Sequence, residues 1–283
     1  MPLDYAELMT RRTPDQGVSW RDRDAILYAL ATGMSGSSPG QLAFLYEQPA
    51  LQVLPSLASS LVGIGLLDNC GWDYARVLHV GEQLTVHRPL TDSGSAILDS
   101  RVTGLRDLGP DRGALIEITA DARSRGGQPL FRTQRQLLAR ADGGQGGPGN
   151  GIATPPPHSP PGRSPDLDCR ISTRKDQALL YRLTGDTNPL HADPELARQL
   201  GWPQPPLHGL CTWGIACHAI LATICELDPT LIRSMQGRFS APVFPGDTLI
   251  TEMWQQANIV SFRVRAQERD EVVLNHGRCE LAA

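Results

Sequence analysis

The chain lacks the sequence features that mark redox, nucleotide-binding and membrane-spanning proteins. None of its six cysteines forms a C-x-x-C pair, which favours buried, reduced thiols over a disulfide framework. No G-x-G-x-x-G or Walker A sequence occurs, so the common nucleotide-binding folds are not indicated. The longest apolar run, at 215–225, is too short to span a bilayer.

Charge is nearly balanced along the chain. The 26 Lys and Arg residues stand against 30 Asp and Glu residues, and the basic residues form no long run. A general nucleic-acid surface is therefore not expected, although a local basic patch for a phosphate-bearing ligand is compatible with the sequence. The first twelve residues lack the apolar stretch of a secretory signal peptide. We expect a cytoplasmic protein that binds neither nucleic acid nor membrane.

Glycine and proline concentrate in one segment, 143–165, where they make up 14 of the 23 residues. Such a composition cannot bury a core and predicts a solvated, partly extended linker. The linker divides the chain into an N-terminal half, 1–142, and a C-terminal half, 166–283.

Two short matches in the same order suggest that the halves arose by duplication. A-I-L-Y-A-L at 25–30 resembles A-L-L-Y-R-L at 178–183, and G-E-Q-L at 81–84 resembles G-D-T-L at 246–249. Each half then has a helix-like opening, a more apolar helix and a run of strands.

The apolar helices are predicted at 55–66 and 209–226. The predicted strands are 75–89, 95–105, 114–122, 130–138, 167–173, 235–243, 248–254, 259–267 and 272–281. Helices followed by a run of strands favour an α+β fold, in which a helix packs on an antiparallel sheet.

The stretch G-D-T-N-P-L-H-A-D contains the candidate chemistry. Pro189 prevents Asp186 and His191 from sharing a regular helix, so we expect both on a tight loop. Asp193 and Pro194 then form a helix start, as N-cap and first helical residue. A carboxylate and an imidazole that face one water molecule can divide the acid and base steps of a reaction.

The pair His208-Gly209 strengthens this interpretation. Gly209 stands at the predicted start of the apolar helix, where its N–H has no helical partner and lies at the positive end of the helix dipole. Glycine also lets a substrate carbonyl approach closely. In isolation, an Asp and a His at this spacing are commonly caps or surface groups, and such a glycine simply starts a helix.

A metal site is the other chemical interpretation of this loop. Asp186, Asn188, His191 and Asp193 are all oxygen or nitrogen donors, but they flank a turn fixed by proline and no further ligand cluster accompanies them. We therefore predict no metal and no cofactor.

These residues together resemble the MaoC-like hydratases, in particular the R-specific 2-enoyl-CoA hydratase 2 group. The similar strings are Y-R-L-T-G-D-T-N-P-L-H-A-D at 181–193, L-H-G-L-C-T-W-G at 207–214 and R-F-S-A-P-V-F-P-G-D-T-L at 238–249. The resemblance is weaker in the first half, where V-L-P at 53–55 and H-V-G-E-Q at 79–83 carry it.

The resemblance implies a double hot-dog fold, with a helix wrapped by a curved antiparallel sheet in each half. The catalytic residues of the family correspond to Asp186 and His191, its supporting residue to Asn188 and its oxyanion N–H to Gly209. Its pocket aromatic corresponds to Phe239.

Further substrate contacts follow less directly from the resemblance. The family's H-G-E-Q appears here with Val80 inserted, so His79 and Gly81 are candidate acyl-chain contacts. His208 is a candidate for orienting the loop or binding substrate. The corresponding region of the first half, 33–39, has neither acid nor histidine, so we expect one active site per chain.

The implied activity is the reversible hydration of a trans-2-enoyl-CoA to the (3R)-3-hydroxyacyl-CoA, with an acyl-CoA thioester as the binding partner. Two alternatives stay open: a dehydratase acting on acyl carrier protein or on branched acyl-CoA, and a non-catalytic subunit that binds acyl thioesters. Because hot-dog folds also include thioesterases, the fold alone does not decide the chemistry. Self-association is left open as well, with a homodimer among the alternatives.

Overall fold

The computed structural model describes residues 3–72, 76–146 and 157–282. The first half contains α1 (Tyr5–Thr10), β1 (Arg12–Trp20), α2 (Asp22–Ala31), α3 (Leu57–Ser60), β2 (Val77–Val86), β3 (Gly94–Asp107), β4 (Ala114–Arg123) and β5 (Pro129–Ala139). The second half contains β6 (Leu167–Ser172), α4 (Gln177–Tyr181), α5 (Pro194–Gln199), α6 (Gly209–Thr223), β7 (Ile232–Phe239), β8 (Thr248–Gln256), β9 (Ile259–Ala266) and β10 (Glu271–Leu281).

The strands form one continuous antiparallel sheet of ten strands. Its order is β1-β3-β4-β5-β2-β7-β10-β9-β8-β6. The two halves meet where β2 pairs with β7, between the register pairs Gly81↔Arg238 and Thr85↔Ser234. The α+β class is confirmed, as is the expected double hot-dog fold.

Strand order supports the duplication. From the central pair outward, the first half follows β2-β5-β4-β3-β1 and the second follows β7-β10-β9-β8-β6, so each strand has a counterpart five strands later. The match between 25–30 and 178–183 agrees with this order, because both stretches follow the first strand of their half. The match between 81–84 and 246–249 is wrong: the first lies in β2, whereas the second leads into β8, the counterpart of β3.

Helix α6 is the centre of the core. Every residue from Leu210 to Leu221 is buried, so the helix is surrounded on all sides rather than amphipathic. It approaches α2 closely at Gly214, where a Cβ atom would lie 2.3 Å from Thr32 Cγ2 and 2.7 Å from the Tyr28 hydroxyl. No helix in the described part of the chain is long and apolar enough to cross a membrane.

The long apolar helix predicted at 55–66 is wrong. Only Leu57–Ser60 is α-helical, and a 3-10 turn follows at Gly65–Leu67. The guanidinium of Arg135 donates hydrogen bonds to the backbone carbonyls of Ser59 and Val62, at 3.0 and 3.1 Å. Arg135 thus bonds to carbonyls at and after the end of α3, and the Ser59 carbonyl also accepts a short-range bond from Val62 N–H at 3.4 Å.

Most predicted strands agree with the structure to within a few residues. The strand predicted at 235–243 instead starts at Ile232 and ends at Phe239, ahead of Pro242. Strand β1 was not predicted, because its sequence, R-T-P-D-Q-G-V-S-W, is mostly exposed and contains Pro and Gly, as is typical of an edge strand. Residue 75 of the first predicted strand lies outside the described residues.

Both described ends of the predicted linker are held against the sheet. The Asp107 carboxylate accepts hydrogen bonds from the N–H groups of Gly144 and Gly146, at 2.7 and 2.9 Å. At the other end, His158 Nε2 lies 2.8 Å from Ser261 Oγ, which explains why this outward-facing position of β9 is buried. Residues 147–156 are outside the described part, so the extended linker and the division at 143–165 stay predictions.

His218 is buried within α6, where its Nδ1 lies 3.1 Å from the carbonyl oxygen of Thr32. Burial lowers the pKa of this imidazole, and the bond to Thr32 only partly offsets the effect. In the unfolded chain the pKa is about 6.5. As the pH falls below that value, the unfolded state binds a proton more readily than the folded state does. The free energy of unfolding therefore decreases on acidification.

We predict that His218→Gln weakens the loss of stability on acidification. The slope of the unfolding free energy against pH, measured by urea denaturation between pH 7.5 and 5.5, should be shallower than in the wild type. One histidine can account for at most about 1.4 kcal/mol per pH unit. The exposed His87 provides the matched control, and His87→Gln should leave the slope unchanged. An identical slope in His218→Gln would show that this group does not contribute.

Candidate active site

A cavity of about 930 Å³ lies between the two halves of the molecule. Asp186, His191, Gly209 and Phe239 line one end. The first half supplies an apolar wall, made of Leu61, Val62, Ile64, Val77, Leu137 and Leu138. Both halves of the chain therefore line the cavity, and most of the first half's lining residues are apolar.

Local turns hold the loop that contains the acid and the imidazole. Gly185, with a φ of 125°, ends the turn after α4. Asn188 caps the following 3-10 turn, Pro189–His191, by accepting a hydrogen bond from Leu190 N–H at 3.0 Å. Asp193 caps α5 with Pro194 as its first residue, as predicted. These caps fix the backbone on both sides of His191.

His191 has a defined orientation. Its Nδ1 lies 2.8 Å from the carbonyl oxygen of Pro206. Because a carbonyl only accepts hydrogen bonds, Nδ1 carries the proton and the neutral ring presents an unprotonated Nε2. Burial lowers the pKa of His191, with a partial offset from Pro206 and Asp186. The imidazole is therefore kept neutral and available to accept a proton.

Asp186 is exposed on the cavity side of the loop, and its Oδ1 accepts a hydrogen bond from Asn188 N–H at 3.2 Å. Its carboxylate and the imidazoles of His191 and His208 bring one donor atom each within 4.8 Å of one another. The acid and the base predicted from the sequence thus lie together at the cavity.

His208 contacts both Asp186 and His191 but does not line the cavity. Its ring stacks on that of His191, with centroids 3.8 Å apart and planes inclined by 28°. Its Nε2 donates to the backbone carbonyl of Asp186 at 3.1 Å. Burial and the neighbouring His191 lower the pKa of His208 to about 3, so this ring is neutral. Its absence from the cavity lining does not support the predicted role in substrate binding, whereas its contacts with Asp186 and His191 agree with the predicted role in orienting the loop.

The same three side chains could be considered as a metal site. A metal ion bound by two imidazoles lies close to the plane of both rings. Stacked rings at 3.8 Å with nearly parallel planes do not share such a point. This stacking therefore disfavours an ion bound by both His191 and His208.

Gly209 is the first residue of α6, as predicted. Within the described residues, its N–H makes no hydrogen bond, and the fifteen-residue helix directs its positive dipole end toward the cavity. The Phe239 ring lies over this residue, since a Cβ atom on Gly209 would be 3.5 Å from Phe239 Cε1. The amide is thus an open donor beside an aromatic wall.

His79 is fixed beside Phe239 by a buried ion pair of the first half. Its Nε2 lies 3.0 Å from Glu82 Oε2, and the same oxygen accepts from Arg135 Nε at 3.1 Å. Burial opposes ionisation of Glu82, but Arg135 and His79 outweigh it and lower the pKa of the carboxyl group. The His79 ring lies 4.9 Å from that of Phe239. His79 is therefore a cavity residue, as predicted.

Gly81 is not a cavity residue, in contrast to the prediction. A Cβ atom there would point at Gln136, 3.1 Å from Oε1, on the opposite face of the sheet. The reason is a β-bulge between His79 and Gly81, in which the inserted Val80 has no partner in β5. The bulge keeps His79 and Glu82, three positions apart, on the same face.

Several cavity residues were not predicted. Tyr181 lines the cavity and its hydroxyl lies 2.9 Å from Ser60 Oγ, a contact between the halves. Glu82 holds the cavity residue His79 from outside the cavity lining, and its place within the quoted H-V-G-E-Q string was a usable signal. The sequence contains no comparable signal for Arg135, which is one polar residue in an otherwise regular strand. Its ion pair with Glu82 depends on the pairing of β5 with β2.

Two known family models match different parts of the chain. Residues 19–141 match the model of the MFE-2 hydratase 2 N-terminal domain, and residues 157–276 match the MaoC like domain. The second match includes the loop that contains Asp186 and His191, and also the start of α6.

Curated relatives and solved structures agree with this assignment. "Enoyl-CoA hydratase 2, peroxisomal" of Arabidopsis thaliana is 36% identical, over 94% of this chain and 92% of that protein. "3-hydroxyacyl-thioester dehydratase Y" of Mycobacterium tuberculosis is 36% identical, over 93% of both chains. The crystal structure of a MaoC-like dehydratase from Phytophthora capsici is 28% identical and superposes with a TM-score of 0.87, covering 99% of this chain and 98% of that one. The chain therefore belongs to the MaoC-like hydratase family.

Proposed function

We propose that the protein catalyses the reversible hydration of trans-2-enoyl-CoA to (3R)-3-hydroxyacyl-CoA. The observation that carries the proposal is the convergence of the Asp186 carboxylate, the His191 imidazole and the unpaired Gly209 N–H on one cavity. The R configuration is that of the hydratase 2 group, which the site residues resemble.

Two acceptors can hold one water molecule in this site. The Asp186 carboxylate and the unprotonated His191 Nε2 both accept hydrogen bonds, so a water molecule between them donates both of its protons. Its lone pairs then face the cavity, where C3 of the enoyl group would lie. This arrangement orients the nucleophile before reaction, which removes part of the entropic barrier.

The Gly209 N–H would bind the thioester oxygen. When water adds to C3, negative charge moves through C2 to this oxygen and forms an enolate. A backbone donor aimed at such an oxyanion is worth about 10²–10³-fold in rate. The helix dipole of α6 acts in the same direction.

The protons balance through the acid and the base. One proton of the water stays on the new C3 hydroxyl, and the other passes to Asp186 or His191 and then to C2. No proton is gained or lost overall, and no oxidant or reductant is needed.

A dehydratase that forms the enoyl thioester from the hydroxyacyl thioester is the second candidate. It would use the same residues in the reverse direction, and the Mycobacterium tuberculosis relative has such a name. The two candidates differ in carrier, either coenzyme A or acyl carrier protein, and in the direction of flux. A comparison of kcat/KM for the two carriers decides between them.

The cellular location stays a prediction. The sequence predicts the cytoplasm, whereas the Arabidopsis thaliana relative is named as peroxisomal. The oligomeric state likewise stays a prediction, with a homodimer as one of the states to be tested.

We predict that Asp186→Asn and His191→Ala each lose hydration of crotonyl-CoA. Removal of one acid–base group should lower kcat about 10²–10⁴-fold while the variants stay folded. The assay should identify the product: hydroxyacyl-CoA indicates a hydratase, free CoA indicates a thioesterase, and tight binding without turnover indicates a binding subunit.

Surface substitutions give the controls for this experiment. Asp168→Asn and His87→Gln change the same residue types at exposed positions outside the cavity and should retain wild-type rates. Wild-type rates in Asp186→Asn or in His191→Ala would reject the mechanism.

The pH dependence of kcat/KM should report the neutral state of His191. Because burial lowers its pKa below the usual value of about 6.5, the free enzyme keeps its acceptor nitrogen down to that pH. As the pH is lowered from neutral, kcat/KM for crotonyl-CoA should stay constant to about pH 6.5. It should fall only below that pH, where the imidazole becomes protonated. An acid limb with its midpoint above 6.5 would contradict this account.

A further inference from the structure

The central sheet splits at the cavity. Pairing between β2 and β7 begins at Gly81↔Arg238 and does not extend to the start of β2. Beyond this pair, residues 77–80 lie on one side of the opening and residues 239–243 line the cavity from the other. The two central strands therefore separate, and the cavity lies between them. We call this opening, between residues 77–80 and residues 239–243, the fork.

Residues from both faces of the sheet line this opening. His79 is opposite Leu137 on the face that carries Glu82 and Arg135, whereas the next pair, Leu78↔Leu138, alternates to the other face. Both pairs line the cavity. The cavity therefore extends around the edge of β2, from one face of the sheet to the other.

Val80 lies at the branch point of the fork. It is the bulged residue, without a register partner in β5, and it precedes the first residue that pairs with β7. Val80 is among the residues that line the cavity. Its neighbour His79 is anchored by Glu82 and contacts Phe239, the ring over Gly209. Val80 is therefore close to the catalytic end and held by a rigid neighbour.

The two ends of the cavity suit different parts of an acyl-CoA. The loop at Asp186 and Thr187 is exposed, so the polar and anionic coenzyme A arm would leave on that side. Apart from His79 and Arg135, the residues of β2 and β5 that line the fork are valines and leucines, which suit an alkyl tail. A long tail would run from the catalytic end past Val80 toward this apolar wall.

We propose that Val80 is the specificity-determining residue at the fork, and that its side chain sets which acyl tails pass from the reacting carbons to the apolar wall of the first half. The proposal rests on the proposed function, since it takes an enoyl thioester as the substrate. A bulge next to an active site commonly re-aims a side chain, and Val80 is the bulged residue of β2 at the point where the pairing of β2 with β7 ends.

The test compares a short and a long substrate in two variants that keep the bulge. Val80→Phe fills the fork, and Val80→Ala widens it. We expect Val80→Phe to lower the ratio of kcat/KM for trans-2-decenoyl-CoA to that for crotonyl-CoA by about 10-fold or more, since small volume changes in apolar pockets give effects of this order. Val80→Ala should raise the same ratio.

Val86→Ala is the matched control. It changes a valine of the same strand, buried in the core and outside the cavity, and should leave the ratio unchanged. Equal effects of Val80→Phe on both substrates, or a ratio in Val80→Ala that does not rise, would overturn the proposal. Circular dichroism identifies a variant that fails to fold, and Val80→Ala then decides the outcome.

A binding measurement separates this proposal from the proposed function. Calorimetry with decanoyl-CoA and butyryl-CoA needs no turnover, and Val80→Phe should weaken binding of the longer thioester alone. If the wild type binds both thioesters but hydrates no enoyl-CoA, the proposed function fails while the fork proposal is still decided. If Val80→Phe binds both thioesters as the wild type does, the fork proposal fails whatever the activity.

Discussion

The pairing of β2 with β7 is the interaction on which the rest of the structure depends. It joins two five-stranded sheets of equal order into one sheet and brings the first half to the loop that contains Asp186 and His191. The opposed residues Leu84 and Met235 are both fully buried, so the junction is part of the core. Because the pairing stops at Gly81 and Arg238, the same interaction that joins the halves also opens the cavity between them.

The first half supplies a buried ion pair and an apolar wall to the cavity. Its buried ion pair between Glu82 and Arg135 is costly to desolvate, and it is stabilised by further hydrogen bonds to two backbone carbonyls and to His79. These contacts connect the apolar wall, through His79 and Phe239, to the amide of Gly209. The site is therefore composite, and neither half alone contains all of it.

Local signals in the sequence made the conformation of the loop that contains Asp186 and His191 predictable. Pro189 excluded a regular helix, Asp193-Pro194 marked a helix start, and the apolar run after Gly209 marked the central helix; the structure has all three. Long-range pairing was not predictable in the same way. The side of the sheet that Gly81 faces depends on a one-residue bulge, and the carbonyl of Ser59, near the end of α3, bonds to Arg135, 76 residues away.

The most direct test of the account is a crystal structure with a bound saturated thioester, butyryl-CoA, in which no reaction can occur. We predict that the thioester oxygen lies within hydrogen-bond distance of Gly209 N and that C3 lies next to the carboxylate of Asp186 and Nε2 of His191. A thioester bound outside this cavity, or with its oxygen turned away from Gly209, would contradict the central claim that these three groups act on one substrate.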